Sequence, residues 1–238
     1  MTRLPSLSER GDCRFPSPET ALQEPNGLLA IGGNLSTDCL LQAYRQGIFP
    51  WYSAGEPIMW WSPDPRAVLF PARLKISRSL ARTISRQDYT VTLDQAFADV
   101  VRQCAQPRSD NHGTWITAEM QAAYLRLHHA GHAHSAEAWW NGELVGGLYG
   151  VAIGQVFFGE SMFHRRNDAS KVALAHLVTR LQDCGYQLID CQVTTAHLLS
   201  LGAEEIPRHQ FCQLLSRCCA ATPAHQPWAG ASHPAIQP

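Results

Sequence analysis

The chain has 238 residues, enough for one large domain or one domain with a small companion. Lys and Arg total 19 against 20 Asp and Glu, a net charge of −1, which excludes a globally cationic polyanion binder but leaves room for a local basic track. Only 16% of residues are charged and 45% are hydrophobic, with seven Trp, so the chain is neither disordered nor fibrous and can build a core and a cavity.

Residues 1–14 carry Arg3, Glu9, Arg10, Asp12 and Arg14, which leaves no apolar stretch of the signal-peptide kind. The longest uncharged apolar run, 144–159, is too short and too rich in Gly to span a bilayer. A cytoplasmic protein without membrane contact is expected. The eight Cys form no C-x-x-C and no zinc-ribbon spacing, and are expected as reduced structural thiols. His132 and His134 form an H-x-H that a strand would put on one face, but no further His or Asp lies at ligand-like spacing, so no metal is expected.

In chain order, residues 1–71 hold nine of the fifteen Pro. They carry one convincing helix, capped within Ser36-Thr37-Asp38, running through Leu40, Leu41 and Tyr44, and stopped by Gly47 and Pro50. Turn signals at Pro25-Asn26-Gly27, Gly32-Gly33 and Ser62-Pro63-Asp64-Pro65 surround it. Regular signals begin with a strand at 67–70. Ser77 caps a short helix with Leu80 and Ile84 on one face and Arg78, Arg82 and Arg86 on the other. A helix with Leu93, Phe97 and Val100 or Val101 follows, then one opened by Thr117 and closed at Gly131.

A β-meander comes next. Strand 134–140 leads into Asn141-Gly142, the strongest two-residue hairpin signal, followed by 144–153, Gly154-Gln155 and 156–158. Asp168 caps a long helix in which Ala173, Leu177 and Leu181 recur, ending at Gly185. A strand at 186–193 and a last helix begun by Pro207 complete the regular part. The expected fold class is α+β (α/β-like), an N-acyltransferase-type mixed sheet with packed helices behind a small irregular N-terminal subdomain. The expected units are 1–66, the N-terminal subdomain, 67–219, the catalytic domain, and a disordered tail at 220–238.

Four constellations bear on chemistry. From Arg66 to Gln87 there are six basic residues (Arg66, Arg73, Lys75, Arg78, Arg82, Arg86) and no acid; such a face is either solvated helix surface or a track for phosphates. Trp51 and Trp115 lie in loops or at element starts, where an indole either stacks on a base or joins the core. Glu160, after a Gly at the end of a hydrophobic strand, reads as an exposed strand end, whether surface charge or contact for a cationic substrate. Asp190 and Gln192 share a face of an apolar strand, where a carboxylate is costly without a partner.

These residues sit inside eight blocks that occur in order. They are Pro25-Asn-Gly-Leu-Leu-Ala-Ile-Gly-Gly33, Tyr44-Arg-Gln-Gly-Ile-Phe-Pro-Trp51, Trp60-Trp-Ser-Pro-Asp-Pro-Arg66, Gly113-Thr-Trp-Ile-Thr117, Gly131-His-Ala-His-Ser135, Gly159-Glu-Ser-Met-Phe163, Ile189-Asp-Cys-Gln192 and Ser200-Leu-Gly-Ala203. The chain thereby resembles the leucyl/phenylalanyl-tRNA–protein transferases over about residues 15–217. The resemblance implies transfer of Leu or Phe from aminoacyl-tRNA to the N-terminal Arg or Lys of acceptor proteins, which marks them for degradation, by a monomer with no cofactor. It implies that Trp51 and Trp115 hold the 3′-terminal adenosine, that Asp190 and Gln192 meet the reacting ester, and that Glu160 places the substrates. It implies an amino-acid pocket of Leu148, Phe157, Met162, Leu174, Leu177, Leu181 and Ile189. The basic residues would then follow the tRNA backbone.

Three other readings share parts of this pattern. A CoA-dependent N-acetyltransferase would want a Gly-rich pyrophosphate loop before the long helix, which Arg165-Arg-Asn-Asp-Ala-Ser170 lacks. A non-catalytic RNA-binding module needs the Arg face and the Trp pair but not Asp190 with Gln192. A peptidoglycan-type aminoacyl-tRNA transferase would use the same donor with a cell-wall acceptor.

Overall fold

The computed structural model describes residues 4–11, 13–107 and 114–228. Near the N-terminus, β1 (Ser6–Leu7), β2 (Leu28–Gly32), β3 (Phe49–Pro50) and β4 (Met59–Trp61) form a small sheet in the order β1-β2-β4-β3. Helix α1 (Thr37–Arg45) lies between β2 and β3 in the chain. The Ser36 hydroxyl accepts from the Cys39 amide at its start. Gly47 ends the turn with a φ of 76°, and a Cβ there would meet the Phe211 ring at 2.9 Å, so only glycine fits. The helix agrees with the sequence reading. The four strands do not, because runs of two to five residues broken by Pro and Gly carry no readable period.

The remaining chain builds the main sheet in the order β11-β5-β10-β9-β8-β7-β6. Its elements are β5 (Arg66–Leu69), α2 (Arg78–Ser85), β6 (Thr90–Leu93), α3 (Phe97–Cys104), α4 (Ala118–His129), β7 (Ala133–Trp140), β8 (Glu143–Ile153) and β9 (Val156–His164). Then come α5 (Ala169–Asp183), β10 (Leu188–Gln192), α6 (Ala196–Ser200), β11 (Glu204–Ile206) and α7 (Arg208–Cys218). The architecture is the expected α+β one, with helices on both faces of a mixed sheet. Asn141 and Gly142 turn the β7–β8 hairpin with φ of 49° and 79°.

All neighbouring strands of this sheet are antiparallel except β9 and β10. That parallel pairing covers only Val156–Phe158 against Leu188–Asp190. Beyond it β9 continues to His164 with β8 alone, so the two strands part after Phe158 and Asp190.

One core, on the face bearing α3 and α4, takes in α1, the small sheet and Phe211 and Leu215 of α7. The other gathers α2 and α5 against Ala136, Leu148, Phe157 and Ile189. The first runs across residues 66 and 67, so the N-terminal segment and the main sheet share it, and Arg66 opens β5.

Several expectations need correction. Leu93 ends a strand rather than joining a helix, because Thr90-Val-Thr-Leu pairs with Ala136–Trp139. The last meander strand runs to His164, not residue 158. Asp168 stands at the α5 N-cap position without capping; its carboxylate accepts from Thr83 Oγ1 and Lys171 Nζ instead. Cys13 and Cys39 form a disulfide, with Cα atoms 5.3 Å apart, because the chain before β2 folds back on α1. Within the tail, residues 220–228 pack on the domain: the Ala224 amide donates to the Cys184 carbonyl, Pro227 is buried, and Trp228 stacks on His134 at 3.9 Å. The rest of it lies outside the described residues. Among the described residues no helix is long and apolar enough to cross a membrane.

Candidate active site

Glu160 lies where β9 and β10 part. Gly159 pairs with Gly150 and Ser161 with Tyr149, so Glu160 is an extra residue, a β-bulge, with no partner on β8. The bulge shifts the strand's phase: Phe157 before it and Met162 after it both face the α5 core. Glu160 is therefore a half-buried mid-strand residue rather than the exposed strand end read from sequence. Its carboxylate accepts from Tyr44 Oη at 2.8 Å, from Tyr124 Oη and from Gln192 Nε2 at 2.9 Å. The two tyrosine hydroxyls also meet each other at 2.8 Å. Burial pushes the Glu160 carboxyl up to about 7, and the hydrogen bonds from Tyr124 and Tyr44 hold it from going higher. Burial and the neighbouring Glu160 charge raise Tyr44 and Tyr124, which stay neutral donors.

Asp190 and Gln192 come together with Glu160, but through a second bulge. Asp190 pairs with Val68 and Gln192 with Ala67, leaving Cys191 extra, and Gln192 adopts a φ of 64°. That left-handed backbone is unfavourable for a side-chain-bearing residue and is held by its surroundings. Asp190 supplies the hold: its Oδ1 accepts the Gln192 amide at 2.9 Å. Arg66 grips the same carboxylate with two bonds, Nε to Oδ1 at 2.8 Å and Nη2 to Oδ2 at 2.7 Å. Its Nη1 reaches the Gly47 carbonyl, and its guanidinium lies over the rings of Phe49 and Phe211 at 4.8 and 4.6 Å. Arg66 is fully buried, so it is removed from the basic track: a group engaged with Asp190 inside the core cannot meet an external phosphate.

Arg73, Lys75, Arg78, Arg82 and Arg86 are exposed, the last three along α2 or at its end; Arg73 pairs with Glu204 at 2.6 Å. Trp51 is 45% exposed, and its carbonyl accepts from Trp61 Nε1. Trp115 is half-buried just before α4, and Tyr52 Oη donates to Glu119 Oε2, which ties the Trp51 segment to the first turn of α4. Leu148, Phe157, Leu174, Leu177, Leu181 and Ile189 lie in one apolar cluster with Met162 packed on it. This cluster is on the α5 face, opposite the Glu160 set, whose Tyr44 and Tyr124 belong to the other core.

A family model described as leucyl/phenylalanyl-tRNA protein transferase matches residues 68–216, and the N-terminal domain of the same family matches residues 33–64. The leucyl/phenylalanyl-tRNA--protein transferase of Aromatoleum aromaticum is 59% identical over 226 residues, 95% of this chain and 94% of its own. That of Nitrosomonas europaea is 59% identical over 217 residues, 91% of this chain and 92% of its own. The chain belongs to the leucyl/phenylalanyl-tRNA–protein transferase family. It is thus an enzyme of aminoacyl transfer from tRNA to protein. Among solved structures it is similar to a GCN5-related N-acetyltransferase from Kribbella flavida (TM-score 0.37, 12% identity, 68% of this chain and 58% of that one) and to L-PGS from Bacillus licheniformis (0.40, 13%, 71% and 54%).

In this member of the family the residues missed from sequence are Tyr44 and Tyr124. Both sit on apolar helix faces, where Tyr reads as core; the one signal is that a buried hydroxyl needs a partner. The fold also supplies what the H-x-H lacks in sequence. Asp94, His128 and His134 each bring one potential ligand atom within 4.8 Å of the others. Each already has a protein partner: His134 Nδ1 meets Asp94 Oδ2 at 2.7 Å, and His128 Nδ1 meets the Ala133 carbonyl at 2.8 Å. His132 is outside this group and precedes β7.

Proposed function

We propose that this enzyme moves Leu or Phe from aminoacyl-tRNA onto the N-terminal Arg or Lys of acceptor proteins, marking them for degradation, as a cytoplasmic monomer. The observation that carries the reading is the hydrogen-bonded set of Glu160, Gln192, Tyr44 and Tyr124 where β9 and β10 part. An aminoacyl ester is already activated, so the chain must align an amine with it, take one proton and stabilise the oxyanion. The acceptor nitrogen attacks the ester carbonyl, a C–N bond forms, the C–O bond to the ribose breaks, and a proton ends on the ribose oxygen.

Glu160, held up to about 7, is matched to an α-ammonium of pKa about 7.7–8.0 and receives its proton. Gln192 commits Nε2 to Glu160, which leaves its Oε1 to accept from the attacking amine. Asp190, with its charge matched by Arg66, is a positioning residue that sets the Gln192 backbone. In this reading Trp51 and Trp115 hold the terminal adenosine, and Arg73, Lys75, Arg78, Arg82 and Arg86 follow the RNA backbone. Leu148, Phe157, Met162, Leu174, Leu177, Leu181 and Ile189 receive the amino-acid side chain.

Incubation with radiolabelled Leu-tRNA and peptides differing only in their first residue tests this. Label should pass to Arg- and Lys-initiated peptides and not to an Ala-initiated one. Tight tRNA binding with no transfer to any peptide would replace the enzyme with a binding module.

A further inference from the structure

The rim of the meander carries a cavity of about 520 Å³ between the β7–β8 hairpin, α3 and the β9–α5 connection. Trp140, Arg165, Arg166 and Gln103 contribute to its lining, with Asp99 and Glu143 as its carboxylates. It uses no residue of the Glu160 set and none of the seven residues assigned to the amino-acid pocket. The Arg166 guanidinium carbon lies over the Trp140 ring, 3.9 Å from its centroid. Trp140 meets Tyr89 edge-on at 5.6 Å, and Tyr89 Oη donates to the Asn167 carbonyl at 2.7 Å. Thr83 of α2 reaches Asp168. Two side chains from α2 and the segment after it thus clamp the β9–α5 connection, so the helix that carries Arg78 and Arg82 is fixed against the segment that carries Arg166.

The charges at this rim are open. Among the described residues no carboxylate pairs with Arg165 or Arg166; Arg165 donates only to the neutral Gln103 amide at 2.6 Å, and Asp99 is taken by Arg102 at 2.6 Å. An indole beneath a guanidinium fixes its plane and leaves its N–H edge free, the arrangement that receives a phosphate through two parallel hydrogen bonds. Cations interleaved with aromatic faces suit an RNA strand better than a folded acceptor protein.

We propose that this cavity is a second RNA-binding point, which takes phosphodiester groups of the aminoacyl-tRNA on Arg165 and Arg166 and extends the α2 track around the sheet. The inference rests on the reading that the chain takes aminoacyl-tRNA as donor. Arg165 lies five positions of extended backbone beyond Glu160, about 17 Å, so it acts on donor binding and not on the reacting ester.

The test measures the affinity of Leu-tRNA across a range of KCl concentrations for the full chain and for Arg165→Ala, Arg166→Ala, Arg166→Lys and Glu143→Gln. Removing one phosphate-binding side chain should flatten the log-affinity against log-salt slope by about 0.7–0.9. Arg166→Lys keeps the charge but loses the fork and the stack, and should fall between parent and Ala. Glu143→Gln removes the one unpaired carboxylate of the lining and should tighten binding. The advantage of full-length Leu-tRNA over Leu esterified to adenosine alone should shrink in both Ala variants. Unchanged slopes in Arg165→Ala and Arg166→Ala, with a flattened slope in an Arg78→Ala, Arg82→Ala double variant, would overturn this site and leave the donor reading intact. Unchanged slopes in all of them, with no transfer by the parent, would remove the donor reading itself.

Discussion

Glu160 and Asp190 are two carboxylates on neighbouring strands whose surroundings give them different work. Glu160 faces only neutral donors and is held up to about 7, whereas Asp190 is clamped by a guanidinium. Glu160→Gln should lower single-turnover transfer at pH 7 by about 10²–10⁴-fold. The acid limb of the pH profile should also move, from a midpoint near 7 up to the amine's own range of about 7.7–8.0. The raised carboxyl also sets the sign of the stability effect. The folded state favours the protonated form, so its stability is greatest below the ordinary glutamate range and falls as pH rises toward 7. Thermal melts should therefore show Glu160→Gln gaining on the parent at pH 8 and not at pH 4. An unmoved acid limb would take Glu160 out of the proton transfer. Asp190→Asn leaves a buried cation unmatched and should cost about 3–5 kcal/mol of folding stability, read by urea unfolding. Adding Arg66→Met should restore much of that stability without restoring transfer, since the side chain at 190 is no longer fixed by the guanidinium and holds Gln192 less firmly. Glu160, Asp190 and Gln192 are legible in the sequence because polar groups in apolar strands need a reason. Arg66 reads there as a surface residue because arginines are rarely buried, and the partner that buries this one stands 124 positions away.

At the scale of elements, both site strands carry their bulge at the reacting end. The bulges turn Glu160 and Gln192 toward each other and leave Phe157 and Ile189 on the α5 side. A strict two-residue alternation would lose this arrangement, and such alternation is what a sequence shows. This is why β9 reads as ending at Phe158: Gly-Glu-Ser breaks the apolar run where the strand bulges. The well-capped helices α1, α2 and α4 are legible, since Ser36, Ser77 and Thr117 each accept an amide of the first turn. The apolar face of α5 against β9 and β10 leads to a prediction on donors. In a pocket of this composition a missing methylene costs about 1–3 kcal/mol, so Val-tRNA should transfer about 10- to 200-fold more slowly than Leu-tRNA. Competition between the two charged tRNAs in one reaction measures it, and equal rates would move the amino-acid side chain elsewhere.

Across the whole molecule, the Glu160 set is a meeting of distant parts of the chain. Tyr44 comes from α1, Tyr124 from α4, Glu160 from β9 and Gln192 from β10. Composition and element order predict the layered fold, but not that the N-terminal segment shares a core with α3, α4 and α7, because that packing depends on contacts of high sequence separation. For the Arg66 guanidinium this packing has a consequence in time. It lies over the ring of Phe49, made early in synthesis, and over that of Phe211, made near the end. While the ribosome is still building the last helix, that cation lies open on one side and Asp190 has no sealed counter-charge on which to fix Gln192. On the proposed assignment, a nascent chain lacks a finished transfer centre until α7 has left the exit tunnel and docked. A product of premature termination, released among a cell's charged tRNAs, would have no means of consuming them.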